Sequence, residues 1–255
     1  MSGTSTIVVN RVANIEHVTL NRPEVQNAFN EVVIAELTSW AERAAADRDV
    51  RGVVISGAGP SFCAGADLNW MTKMAAYSRE ENLRDARMAA AMFAAIDKLP
   101  VPVIAQVHGA ALGGGSGLAA VADIVVASED AVFGFTEVKL GLIPAVIAPY
   151  VVAKIGPSAA RELFITGWRF DAGHAKDIGL VHAVVQLENL SQTVNKYLSE
   201  LARNGPEAMA AAKALLRQIA SRPVAETVSI TAEAIAERRV SAEAQQLMKA
   251  FLKKT

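Results

Sequence analysis

Val103-Ile104-Ala105-Gln106-Val107-His108-Gly109-Ala110-Ala111-Leu112-Gly113-Gly114-Gly115 decides the fold of this chain. Four of its first five residues are apolar, three of them β-branched, without clean alternation, the pattern of a strand covered on both faces. The strand leads into consecutive glycines, where the backbone can approach a ligand with no side chain in the way. Residues able to start a helix follow, and a helix N-terminus leaves N–H groups without intrahelical partners. A second arrangement of this kind lies upstream, where Val53-Val54-Ile55-Ser56 precedes Phe62-Cys63-Ala64-Gly65-Ala66-Asp67. Two such turns facing each other would offer two donors to an oxygen that develops negative charge, which is an oxyanion hole.

The rest of the chain extends this pattern. Residues 6–10 and 16–20 read as an opening antiparallel pair. Asn30 reads as the N-cap of a helix whose apolar face is Val33, Leu37, Trp40, Ala41 and Ala44. A strand at 52–56, a long helical stretch at 67–99, a strand at 101–107, a short helix after the glycines and a strand at 123–127 make an α/β body. From about Leu187 the β-branched runs give way to Ala, Leu, Glu, Lys and Arg, with breaks at Gly205-Pro206 and Arg222-Pro223. The expected division is a core at 1–187 and a helical region at 188–255. The last helix carries Leu247, Met248, Phe251 and Leu252 on one stripe, suited either to the core or to another subunit.

Bulk properties exclude several functions. The chain has 255 residues and is 52% hydrophobic, enough for one substantial core. With 25 Lys and Arg against 26 Asp and Glu, and no basic tract interleaved with aromatics, nucleic acid is not an expected partner. The most apolar stretch, 141–153, is short and holds Pro144 and Pro149, so no membrane span and no secretion signal are expected. The single cysteine, Cys63, rules out an intramolecular disulfide, fits a reducing cytoplasm and reads as a small buried hydrophobe. His17, His108, His174 and His182 lack ligand spacing, so no metal is expected.

Rival glycine motifs fail on context. Gly115-Ser116-Gly117-Leu118-Ala119-Ala120 fits a dinucleotide turn by letters, but lies too far past the strand and lacks an acidic residue at the next strand tip. Ser116 is not in a nucleophile elbow, because position 118 is Leu. No Gly-Lys-Ser/Thr follows any glycine cluster, so there is no P-loop. His108 reads as a structural hydrogen-bonder and Asp67 as a helix cap. Glu137, in Phe133-Gly134-Phe135-Thr136-Glu137-Val138, is a carboxylate in mostly apolar surroundings, which favour a raised pKa; a solvated turn residue is the alternative.

Leu20-Asn21-Arg22-Pro23 with Asn27-Ala28-Phe29, residues 61–71, residues 108–115, and Ala122-Asp123-Ile124 with residues 133–144 carry a resemblance to the enoyl-CoA hydratase/isomerase (crotonase) family. The resemblance implies a spiral of repeated ββα units with a helical C-terminal trimerisation region, and a homotrimer or a hexamer of paired trimers. It implies an acyl-CoA thioester substrate, with coenzyme A entering as part of it and no separate cofactor. The thioester oxygen would be held by the Ala66 and Gly114 N–H groups. Ala66, Asp67, Leu68 and Asn69 would run along the CoA moiety, Ala28 near its adenine end, with Ala64 and Gly117 also among the substrate-binding positions and Phe251 reaching a neighbouring subunit's site.

Common hydratases of the family use two glutamates, and the resemblance maps Glu137 onto one and Gly117 onto the other. Hydration with Glu137 as the single acid/base, isomerisation of a 3-enoyl thioester by Glu137 alone, and CoA-ester binding without catalysis all remain open. Residues 143–151 resemble bacterial branched glutaconyl-CoA hydratases, which favours hydration. Arg84 or Arg87 would meet a distal carboxylate on such a substrate, with a solvated helix face as the alternative.

Overall fold

Strands β1 (Ile7–Val12) and β2 (Ile15–Leu20) pair antiparallel, the arrangement expected from their apolar runs. The computed structural model describes residues 5–253. Asn30 caps α1 (Glu31–Ala46), its side chain accepting from the N–H groups of Val32 at 3.1 Å and Val33 at 3.0 Å. The spaced apolar residues of α1, from Val33 to Ala44, are buried, and Trp40 is 1% exposed. β3 (Gly52–Gly57) returns parallel to β2.

Where one long helix was expected, the chain forms α2 (Leu68–Ala75) and α3 (Arg79–Asp97). The break has a local cause. Ser78 and Glu81 form a reciprocal capping box, so a new helix start competes successfully with continuation. β4 (Val103–Val107), β5 (Ala110–Leu112), α4 (Gly114–Val121), β6 (Ile124–Ser128) and β7 (Val132–Gly134) follow. Then come α5 (Ala148–Thr166), β8 (Arg169–Asp171), α6 (Ala172–Asp177) and β9 (Ala183–Val185). Helices α7 (Leu190–Leu201), α8 (Pro206–Ile219), α9 (Val224–Val240) and α10 (Ala242–Leu252) complete the chain.

Among the described residues the larger sheet has the order β1-β2-β3-β4-β6-β9, parallel from β2 onward. The smaller sheet has the order β5-β7-β8. The pairs β4–β5 and β6–β7 each place one strand in the larger sheet and the next in the smaller, so the chain winds as a spiral. α4 runs through the middle, every residue from Gly115 to Val121 buried. The stripe on α10 does not join this core: α8, α9 and α10 contribute no buried residue, and Phe251 is 68% exposed.

One ion pair ties the first loop to the first glycine turn. Asp67 caps α2 by accepting from Asn69 N–H at 2.8 Å, while Arg22 Nη2 reaches its other oxygen at 2.7 Å. Arg22 also donates to the Ala28 carbonyl at 2.8 Å. Burial opposes the charge on Asp67, but Arg22 and the Asn69 and Trp70 amides outweigh it and hold its pKa below the ordinary range. A depressed carboxylate stabilises the fold above the unfolded pKa and loses that contribution as pH falls through the folded one. Asp67→Ala is expected to cost about 3 kcal/mol at neutral pH, the scale of breaking a buried pair. Urea titrations of both proteins check this, and the gap between them is expected to close in acid.

Candidate active site

Backbone pairing brings the two glycine turns side by side. Phe62 N–H donates to the His108 carbonyl, Cys63 N–H to Ala110 and Leu112 N–H to Cys63, each at 2.9 Å. The first turn thus lies parallel to β5 through the Cys63–Ala111 bridge. A Cβ on Gly115 would stand 2.2 Å from the Cys63 carbonyl oxygen, so this approach requires glycine. On its other side the first turn pairs with Phe29, whose N–H donates to Gly65 at 2.7 Å and whose carbonyl accepts from Asp67 at 2.8 Å. Extended chain turns successive peptide groups to opposite sides, so the Ala66 N–H points away from Phe29. Gly113, with φ 50° and ψ −117°, redirects the chain so that α4 begins at Gly114. Among the described residues neither the Ala66 nor the Gly114 N–H meets an acceptor, and both residues line a cavity of about 590 Å³.

Glu137 enters the same cavity from the segment after β7. A Cβ on Gly113 would lie 3.3 Å from its Oε1 and 3.9 Å from the Gly65 Cα, so the carboxylate stands at the meeting point of both turns. Glu137 Oε2 is buried without a hydrogen-bond partner. Burial raises its pKa, with a backbone hydrogen bond pulling weakly the other way. A group so placed holds a proton more readily than an exposed glutamate and can exchange it with whatever fills the cavity.

Position 117 is packed solid. A Cβ on Gly117 would meet Ile147 Cγ2 at 2.2 Å and Phe93 Cε1 at 3.4 Å, and the residue does not line the cavity. Ile147 fills the space that a side chain at 117 would need. The other anticipated contact residues lie outside the lining: Ala64 is half-buried, Asp67 and Ala28 are buried, and Leu68 and Asn69 are exposed at the start of α2. Phe251 lies on the separate apolar surface of α10 with Leu247, Met248 and Leu252. Arg84 and Arg87 are exposed and absent from the lining.

Other groups surround the chemistry without taking part in it. Ser116 Oγ donates to the Ala111 carbonyl at 2.6 Å and accepts from Gly134 N–H at 3.1 Å, bracing α4 against β5 and β7 of the smaller sheet. His108 Nε2 bonds the Gly59 carbonyl at 2.8 Å. Complete burial pushes the Cys63 thiol up to about 12. Among the described residues no group of three His, Cys, Asp or Glu could hold a metal, and no helix is long and apolar enough to cross a membrane.

The sequence reading passed over one wall of the cavity. Trp70 and Met74 of α2 and Asp85, Ala89, Met92 and Phe93 of α3 form it. The positions 85, 89, 92 and 93 share a helical face, so the spacing that marks Met92 and Phe93 as buried also marked Asp85. Trp70 Nε1 donates to Asp85 Oδ1 at 3.3 Å.

The spiral is the fold of solved crotonase-family structures. The model of the enoyl-CoA hydratase/isomerase family matches residues 10–255, and the chain belongs to that family. It is similar to the 2,3-dehydroadipyl-CoA hydratase of Escherichia coli, 35% identical over 84% of this chain and 82% of the relative. It is also similar to the short-chain-enoyl-CoA hydratase of Clostridium acetobutylicum, 30% identical over 97% of this chain and 95% of the relative. The crystal structure of an enoyl-CoA hydratase from Shewanella pealeana superposes with a TM-score of 0.94 at 38% identity, covering 98% of this chain and 94% of that one.

The packing at position 117 and the burial of Glu137 each have a measurable consequence. Gly117→Ala is expected to destabilise the protein by about 2 kcal/mol through overpacking against Ile147. Adding Ile147→Ala is expected to recover part of that loss, and a double-mutant cycle by denaturant titration measures the coupling. Independently of that packing, Glu137→Gln is expected to raise Tm at neutral pH, because it removes a half-buried charge that no cation compensates. A raised carboxylate pKa costs stability above the folded value, so the gain is expected to vanish below the ordinary glutamate pKa of about 4.3, as thermal melts across pH will read.

Proposed function

We propose that the protein adds water across the double bond of a 2-enoyl-CoA thioester. The observation that carries this reading is the convergence of two acceptor-free N–H groups, Ala66 and Gly114, with the unpartnered Oε2 of Glu137 in one cavity. The thioester oxygen would accept from both N–H groups, which stabilise the enolate as negative charge moves onto it; one such donor is worth about 3 kcal/mol of barrier. Glu137 would take a proton from water as its oxygen bonds to C3, then return that proton to C2. Coenzyme A enters as part of the substrate, and the steps need no metal or redox group. The names of the hydratase relatives support the direction of the reaction.

The branched glutaconyl-type substrate suggested by residues 143–151 would bring a distal carboxylate. Among the described residues lining the cavity none is Lys or Arg, which favours an acyl group uncharged at its far end. The exposed stripe of α10 supports a role between subunits, in a trimer or a hexamer, with Phe251 beside a neighbour's ligand.

The packing of Ile147 against Gly117 favours a second reading. With no carboxylate at 117, Glu137 alone can remove a proton from C2 of a 3-enoyl thioester and return it to C4, which is isomerisation. Crotonyl-CoA, 3-methylglutaconyl-CoA and a 3-enoyl-CoA, offered to wild type and Glu137→Gln, separate the readings. Hydration of crotonyl-CoA is expected, falling by about 1000-fold in the variant. Turnover of the 3-enoyl thioester alone would support isomerisation, and CoA-ester binding without any turnover would support a non-catalytic binder.

A further inference from the structure

The cavity contains a second carboxylate, which the proposed chemistry does not use. Asp85 lines the same cavity as residues 141–147, half-buried, with a hydrogen bond from Trp70 Nε1 to its Oδ1. Neither a cation nor any further donor among the described residues is bonded to it. Glu31, the charge that acts on Asp85, is also negative, and Lys73 is engaged with Glu31 at 2.6 Å. Burial, partly offset by the Trp70 bond, raises the Asp85 pKa, as expected where no positive charge compensates.

The place of Asp85 along α3 gives it a position relative to the reacting end. Phe93 stacks edge to face on Phe29 with ring centroids 6.3 Å apart, and a Cβ on Gly114 would lie 2.8 Å from the Phe29 ring. Phe93 therefore marks the level of the Gly114 N–H. Asp85 precedes it by two turns of helix on the same wall, about 12 Å along the axis at 1.5 Å per residue. Between them the lining residues of α3 are Ala86, Ala89 and Met92, all apolar.

We infer that Asp85 is the specificity residue for the far end of the acyl chain. It rejects acyl groups ending in a carboxylate and accepts a terminal hydrogen-bond donor such as a hydroxyl. Rejection arises because two like charges would face each other in a half-buried site with no cation between them. Acceptance arises because the side chain has a free oxygen and the surrounding wall is apolar. This inference rests on the proposed placement of the thioester at Ala66 and Gly114. It names a substrate class different from that of the dehydroadipyl-CoA relative, whose substrate name denotes a dicarboxylic acyl group.

The test compares trans-2-octenoyl-CoA with its ω-hydroxy and ω-carboxy derivatives in wild type, Asp85→Asn and Asp85→Ser. In wild type, kcat/KM for the ω-hydroxy chain is expected to exceed that for the ω-carboxy chain by about 100-fold, the scale of a like-charge juxtaposition. In Asp85→Asn, which keeps an acceptor for Trp70, the ratio is expected to fall at least about tenfold. A wild-type ratio near one, or a ratio unchanged in both variants, overturns the inference. Dissociation constants of the saturated counterparts are measured in parallel. If no chain is hydrated yet binding keeps the same ratio and the same response to Asp85, hydration fails and the specificity assignment stands.

Discussion

The first glycine turn is held as an extra strand on β5, and the site depends on that contact. The Cys63–Ala111 bridge and the close seat of Gly115 on the Cys63 carbonyl fix the separation and direction of two peptide groups from distant parts of the chain. Backbone hydrogen bonds set this geometry, so it does not rely on the rotamer of any side chain. Ser116, Asp67 and Arg22 then brace the pair from outside: the serine from within α4, the ion pair from the loop after β2. Preorganised donors of this kind need no rearrangement when charge develops, which is the condition under which they lower a barrier most.

The carboxylates show how environment divides chemically similar groups. Asp67 is almost fully buried, yet an arginine and two amides keep it charged. Glu137 is less buried but has no such partners, and its affinity for a proton rises. Asp85 lies between them, with an indole donor and no cation. The first locks the fold, the second holds its proton more tightly than an exposed glutamate, and the third has an indole donor without a compensating cation.

Much of this was legible in the chain. The parallel strand cores, the Asn30 cap and the turns themselves follow from local composition, because each is decided by neighbours in sequence. β5, β7, β8 and β9 escaped, since three residues are too few to show a period. The split between α2 and α3 was written in Ser78 and Glu81 but masked by the alanine-rich continuation. The raised pKa of Glu137 was foreshadowed by its apolar neighbours. Asp85 required the helical face to be read for its polar member as well as its apolar ones. The filling of position 117 could not be foreseen, because Ile147 reaches it only after the intervening strands and turns have folded.

That filling constrains how such a protein can change its chemistry. A glutamate introduced at 117 alone would collide with Ile147, and truncation of Ile147 alone would leave an apolar void beside Phe93. Either first step is expected to lower stability on its own, so a side chain at 117 and a smaller residue at 147 are coupled by packing. An engineer who wants a side chain at position 117 must therefore move both residues together.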